Sequence, residues 1–261
     1  MLYYKVFKHS VSKDWVVFIH GAGGSSAVWY KQLKDFREKY NLLLIDLRGH
    51  GKSADLPQAI YNEEYTFSGI TEDIIEVLDH LNIPPAHFMG VSLGTIIVRQ
   101  LAEMDRDRVK SLILAGAVTR LTVQSRILVF LGNLFKKVIP YMWLYKLFAF
   151  VIMPRKQHAE SRNLFIREAQ KLCQKEFVRW FQLTKDINPL LRYFKESDLE
   201  IPTLYVMGDQ DVMFLEPVRK IIKSHKHSVL KILKKCGHVV NVERPLEFNR
   251  LSLAFIQNQT N

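Results

Sequence analysis

With 261 residues, 48% of them hydrophobic, the chain can bury a full core as one large domain or as a domain carrying an insertion, which excludes a disordered or fibrous protein. Two cysteines, Cys173 and Cys236, are too few for a disulfide framework and fall outside any C-x-x-C spacing, so they read as reduced thiols. The net charge of +11 is concentrated between Val118 and Asp198, where fifteen Lys and Arg face six Asp and Glu, and no helix-turn-helix, zinc-finger or aromatic-basic stacking pattern accompanies it; a nucleic-acid partner is not expected.

The first residues, Leu2 to Phe7, alternate like a strand and lack the apolar stretch and cleavage site of a signal peptide, so a cytoplasmic location is expected. Further strand-like runs come at Trp15–Ile19, Asn41–Ile45, Ala86–Met89, Val109–Ala115, Thr203–Met207 and Val229–Leu233. Several are apolar throughout, as strands covered on both faces are. Helical patterns fall between them at Phe67–Leu81, Leu93–Met104, Phe214–Ser224 and Pro245–Phe255. This alternation predicts an α/β fold, a mostly parallel central sheet with helices on both faces, whose ligands gather at the carboxyl ends of the strands.

Residues 118–198 break the rhythm with helical patterning and no convincing strand, and read as an all-helical cap inserted into a core of residues 1–117 and 199–261. Within it, Ile127 to Met153 is rich in apolar residues, but Lys136, Lys137, Pro140 and Lys146 leave no uncharged stretch of about 18 residues. Two amphipathic helices split near Pro140 are expected. Their residues Phe130, Leu134, Trp143, Phe148 and Phe150 should bury against each other and over a pocket, while the basic charge leaves peripheral contact with an anionic membrane open.

The residues able to carry chemistry stand at predicted strand ends. His20-Gly21-Ala22-Gly23-Gly24 follows the second strand and offers backbone N–H groups in an unhindered loop, with neither a Walker lysine nor G-x-G-x-x-G to suggest phosphate binding. Ser92 lies in Gly90-Val91-Ser92-Leu93-Gly94, between a strand and a helix, where glycines permit the sharp turn that exposes a nucleophile. A serine hydroxyl needs an imidazole to take its proton and a carboxylate to orient that imidazole. His238, after the last strand, is the candidate base; His20 more plausibly organises its own loop, and His225 and His227, among lysines, read as surface residues. Of the two aspartates in Gly208-Asp209-Gln210-Asp211, Asp211 is the better candidate acid, since Asp209 is placed to bond its own turn. The N–H groups of Ala22 and Leu93, with Gly21 beside them, would form the oxyanion site.

Together with Asp46-Leu47-Arg48-Gly49-His50-Gly51-Lys52-Ser53, these motifs resemble the α/β-hydrolase fold family, in the serine hydrolase branch with a helical cap between strands six and seven. The resemblance spans nearly the whole chain outside the cap, in the chain order Ser92, Asp211, His238. It implies a structural role for Asp46, Arg48 and His50, and no cofactor or metal. Thr95 departs from the glycine often found there, which bears on helix packing. Serine at position 92 excludes the aspartate-dependent haloalkane dehalogenases and epoxide hydrolases; the absence of arginine at positions 95–97 argues against the menaquinone-pathway synthase, and perhydrolase side chemistry remains open. The expected activity is hydrolysis of an ester or related acyl bond in a small-molecule substrate, and the alternative is a triad-bearing ligand receptor with slow or incidental hydrolysis. Substrate, acyl length and oligomeric state are not legible in the sequence.

Overall fold

In the computed structural model, which describes residues 1–55 and 65–260, the apolar runs form seven strands: β1 (Tyr4–Phe7), β2 (Trp15–Ile19), β3 (Asn41–Ile45), β4 (Ala86–Val91), β5 (Val109–Ala115), β6 (Thr203–Gly208) and β7 (Ser228–Leu233). They lie in the order β1-β3-β2-β4-β5-β6-β7, with β1 antiparallel to β3 and every other pair parallel.

The unbroken apolar runs have a direct physical cause. Successive side chains of a strand point to opposite faces, and both faces of this sheet are covered. Val17, Ile19, Phe88, Leu112 and Leu114 pack toward α2 (Phe67–His80) and α3 (Leu93–Met104), against Ile70, Ile74, Ile97 and Leu101. Val16, Phe18, Leu42, Leu44, Met89 and Ile113 meet the other layer, where α1 (Leu33–Arg37) contributes Phe36 and α11 (Pro245–Thr260) contributes Phe248 and Ile256. Two further helices flank the last strand, α9 (Leu215–Ile221) before it and α10 (Val240–Glu243) after it. Helix α11 continues past Phe255 because no glycine or proline stops it where the apolar pattern ends.

Between β5 and β6 the chain leaves the sheet for five helices: α4 (Val123–Phe135), α5 (Tyr141–Ile152), α6 (Ala159–Ala169), α7 (Gln174–Gln182) and α8 (Thr184–Glu196). Counted along this chain, the insertion follows the fifth strand, one earlier than the resemblance gives. Pro140 stands at the N-cap of α5, so the long apolar stretch divides there. No helix among the described residues is long and apolar enough to cross a membrane.

Two expectations need correction. Of the five aromatic and aliphatic residues expected inside the insertion, only Phe148 faces inward; Phe130, Leu134, Trp143 and Phe150 are exposed, because Leu128, Val129, Tyr145 and Ile152 already fill the inner side. His225 is not a surface residue but is buried, its Nε2 3.2 Å from the carbonyl of Lys195 at the end of α8, whereas His227 is exposed.

Buried polar contacts fasten the insertion to the sheet layer. Tyr65 Oη donates to Glu176 Oε2 at 2.5 Å, the other oxygen of Glu176 being held by Arg179 of the same helix at 2.7 Å, and Trp180 Nε1 donates to the carbonyl of Arg48 at 3.0 Å. Ser25 Oγ donates to the buried Glu168 at 2.6 Å. Truncating Glu176 strands the buried Tyr65 hydroxyl, so Glu176→Ala should lower unfolding free energy by about 2–3 kcal/mol. Arg192→Ala, which breaks an exposed pair with Glu196, should cost less than about 1 kcal/mol. Urea titration of both variants checks this, and equal shifts would contradict it.

Candidate active site

Ser92 occupies the junction of β4 and α3 with φ 53° and ψ −120°, a left-handed conformation costing on the order of 1–3 kcal/mol for a residue with a side chain. Crowding enforces the turn. A Cβ on Gly90 would lie 2.5 Å from the carbonyl oxygen of Gly94, and one on Gly94 would lie 2.5 Å from that of Ile19. Thr95 does not disturb this packing: its hydroxyl donates to the Ser92 carbonyl at 2.6 Å and accepts from the Val118 N–H at 3.3 Å.

The structure brings Ser92, His238 and Asp211 into one line. His238 Nε2 lies 2.9 Å from Ser92 Oγ, and His238 Nδ1 lies 2.8 Å from Asp211 Oδ2. Asp211 and His238 are nearly fully buried. The other oxygen, Oδ1, accepts the Phe214 N–H at 3.1 Å, which fixes the carboxylate plane, and the Phe214 ring packs 5.1 Å from the imidazole. With Nδ1–H committed to Asp211, Nε2 presents its lone pair to the serine hydroxyl. That is the tautomer required for proton abstraction.

Asp209 behaves differently from expectation. Its Oδ1 accepts the N–H of Cys236 at 3.1 Å rather than bonding its own turn, because β6 and β7 end side by side and the loop of β7 supplies the nearer donor. It thereby ties the Asp211 turn to the His238 loop. Cys236 itself is buried, which pushes its thiol up, and Cys173 is exposed; both are free.

Several contributors were not singled out from the sequence. Gly116, at φ 54° just after β5, lies under the His238 backbone, where a Cβ would approach the His238 carbonyl oxygen to 2.2 Å. A glycine directly after an apolar strand was the available signal. Glu243 accepts the Gly237 N–H at 2.7 Å and the Ser161 hydroxyl at 2.8 Å, bracing the His238 loop against α6. No local pattern announces that role.

The glycine loop is held by two imidazoles. His20 Nδ1–H donates to the Gly21 carbonyl at 2.7 Å while Nε2 accepts the Leu47 N–H at 3.0 Å. His50 Nδ1–H donates to the Arg48 carbonyl at 2.8 Å while Nε2 accepts the Gly23 N–H at 3.0 Å. Each ring uses one donor and one acceptor and is needed neutral. Burial lowers the pKa of both, and that of His50, also facing His20, is pushed down to about 3. Asp46 accepts the N–H groups of Ser26 at 2.7 Å and Lys52 at 2.9 Å, and Arg48 pairs with Asp73. These residues of the Asp46–Ser53 segment hold the frame of the glycine loop. Gly21 is pressed so closely to the elbow that a Cβ would lie 3.1 Å from Ser92 Cβ.

A cavity of about 250 Å³ opens over Ser92, floored by Gly21, Ala22, Leu93 and His238 and roofed by apolar side chains of the insertion, including Leu128, Val129, Tyr145 and Phe148. Among the described residues, no Lys, Arg, Asp or Glu lines it. Arg99, the arginine of α3, does not line it either; it donates to the Ser197 carbonyl at 2.6 Å and pairs with Glu103 at 2.7 Å. Among the described residues, no group of three or more His, Cys, Asp or Glu side chains is disposed to hold a metal ion.

The profile of the α/β-hydrolase fold family matches residues 14–138. A protein of Acinetobacter baylyi named as a carbamate hydrolase, RutD, is 26% identical over 97% of this chain and 97% of its own length. The 3-oxoadipate enol-lactonase 2 of the same organism is 26% identical, covering 90% of this chain and 85% of its own. Among solved structures, MenH from S. aureus superposes with a TM-score of 0.82 over the whole of both chains at 21% identity, a likeness of fold. Sheet order, elbow, profile match and structural likeness together give the chain the α/β-hydrolase fold.

Buried neutral histidines make an acid-sensitivity prediction. His87, in β4, has Nδ1 2.8 Å from Ser111 Oγ, and burial pushes its pKa down to about 4. Unfolded, His20, His50 and His87 all protonate near the ordinary 6.5. The stability their depressed pKa values confer is therefore complete above that pH and is lost as pH falls toward the folded values. Between about pH 6 and pH 4.5 the slope contributed by His50 and by His87 approaches about 1.4 kcal/mol per pH unit. Unfolding free energies of the wild type and His87→Gln across this window should show the variant's slope shallower by about that amount; parallel slopes would contradict it.

Proposed function

We propose that this protein is a cofactor-independent serine hydrolase that cleaves an ester or related acyl bond through an acyl-enzyme. The observation that carries the reading is the Ser92–His238–Asp211 line, with hydrogen bonds of 2.9 and 2.8 Å ending in a serine held at positive φ beneath an apolar cavity.

In this reading Ser92 Oγ attacks the acyl carbonyl carbon as His238 Nε2 takes its proton, and Asp211 stabilises the imidazolium without accepting a proton itself. Leu93 is the first residue of α3, so its N–H has no partner within the helix. It and the N–H of Ala22 receive the oxyanion, each worth roughly 3 kcal/mol in the transition state. The imidazolium then protonates the leaving alcohol. Water, deprotonated by the same imidazole, attacks the acyl-enzyme and releases the acid, restoring Ser92. Residues 118–198 serve as the cap over a core of residues 1–117 and 199–261.

The cavity lining selects the acyl group. With no cationic side chain among the described residues of the lining to meet a carboxylate, an uncharged, apolar acyl chain is preferred. Relatives named for carbamate and enol-lactone hydrolysis support this reading.

Ser92→Ala should abolish turnover of p-nitrophenyl butyrate and labelling by a fluorophosphonate probe, with the fold retained. Asp211→Asn should lower kcat by about three to four orders of magnitude. Undiminished turnover in either variant would overturn the assignment, and labelling of Ser92 with no turnover across a broad ester panel would favour a ligand receptor. Gly116→Ala, which pushes the His238 backbone off its seat, should reduce kcat by at least about tenfold while leaving KM within about twofold; unchanged kcat would remove Gly116 from the positioning role.

A further inference from the structure

Helices α4 and α5 are apolar on two sides. Their inner sides supply Leu128, Val129, Tyr145 and Phe148 to the cavity. Their outer sides present Ile127, Phe130 and Leu134 on α4 and Trp143, Leu147 and Phe150 on α5, all exposed, with Trp143 at 73% and Phe130 at 64%. The spacing in each helix is i, i+3 or i+4, i+7, so these residues form a stripe along each helix rather than scattered positions. A surface stripe of this kind marks an interaction site.

The charge around the stripes narrows the partner. From Val118 to Ala159 the chain has seven Lys and Arg and no Asp or Glu. Arg126, Lys137, Lys146, Arg155 and Lys156 are exposed. A second copy of this chain, docked face to face, would set these cations against each other with no carboxylate of that segment between them. An anionic bilayer meets both features: acyl chains and interfacial headgroups accept Trp and Phe, and lipid phosphates accept the basic side chains. At 13 and 12 residues the two helices are about 20 Å long or less, too short to span the hydrocarbon layer and long enough to lie in its surface.

We propose that the outer face of α4 and α5 docks on the surface of an anionic phospholipid bilayer. The docked helices are the roof of the Ser92 cavity, so binding sets that cavity beside the lipid phase. This surface does not depend on the catalytic reading.

The test is flotation of the full chain with vesicles of phosphatidylcholine alone and of phosphatidylcholine containing phosphatidylglycerol. Binding is expected only to the latter, and should fall steeply as salt is raised. Lys137→Glu/Lys146→Glu should weaken it by at least about fivefold per reversed charge, and Phe130→Ser/Trp143→Ser should abolish it. All of these side chains lie outside the cavity, and unchanged melting temperatures of the variants establish that they fold. No flotation with anionic vesicles, equal flotation with both compositions, or binding undiminished in Phe130→Ser/Trp143→Ser would overturn the proposal. A concentration-dependent dimer by light scattering, abolished by Phe130→Ser/Trp143→Ser in a protein that ignores vesicles, would assign the face to a second copy instead.

Discussion

The hydrogen bond between His238 and Ser92 joins residues 146 positions apart, and most of the fold can be understood as what makes that bond possible. Ser92 follows β4, Gly116 follows β5, Asp211 follows β6 and His238 follows β7, and these four strands are successive neighbours in the sheet. At about 4.8 Å per step, the ends of β4 and β7 are roughly 14 Å apart. The loops must close that gap. The loop after β7 leans back across the ends of β6 and β5, and it can do so because Gly116 offers no Cβ beneath the His238 backbone. Asp209 and Glu243 then pin the loop from either side, through the N–H groups of Cys236 and Gly237.

The other half of the site depends on a similar close approach. The glycine loop after β2 touches the elbow after β4, its neighbour in the sheet, and His20 and His50 hold the loop through one donor and one acceptor each. Keeping both rings neutral is a requirement of that geometry. Burial meets it, at the cost of sensitivity to acid. The catalytic proposal and the stability of the fold thus rest on imidazoles in opposite circumstances, His238 facing a carboxylate and a hydroxyl, His20 and His50 facing backbone groups.

What the sequence made legible were features written in local order. Apolar strands read as such because both faces of the sheet are covered, and Ser92, Asp211 and His238 were recognisable because each follows a strand next to a glycine-bearing turn. What it did not reveal was created by distant residues meeting. Gly116 gains its importance only from the return of the β7 loop, Glu243 only from the loop it faces, and the partner of Asp209 only from the pairing of β6 with β7. His225 stands among lysines in sequence and yet is buried against the end of α8. The outer faces of α4 and α5 depart from the sequence expectation for another reason. Composition says how apolar a helix is, but not whether its neighbours have room for every apolar side.

Acyl transfer to Ser92 is the central claim, and its most direct measurement is the fate of the acyl group within the first turnover. Rapid mixing with p-nitrophenyl butyrate followed by acid quench and peptide mass spectrometry should find one butyryl group per chain, on the peptide containing Ser92 and on that residue. Hydrolysis proceeding with no acyl adduct, or with the adduct on another residue, would contradict it.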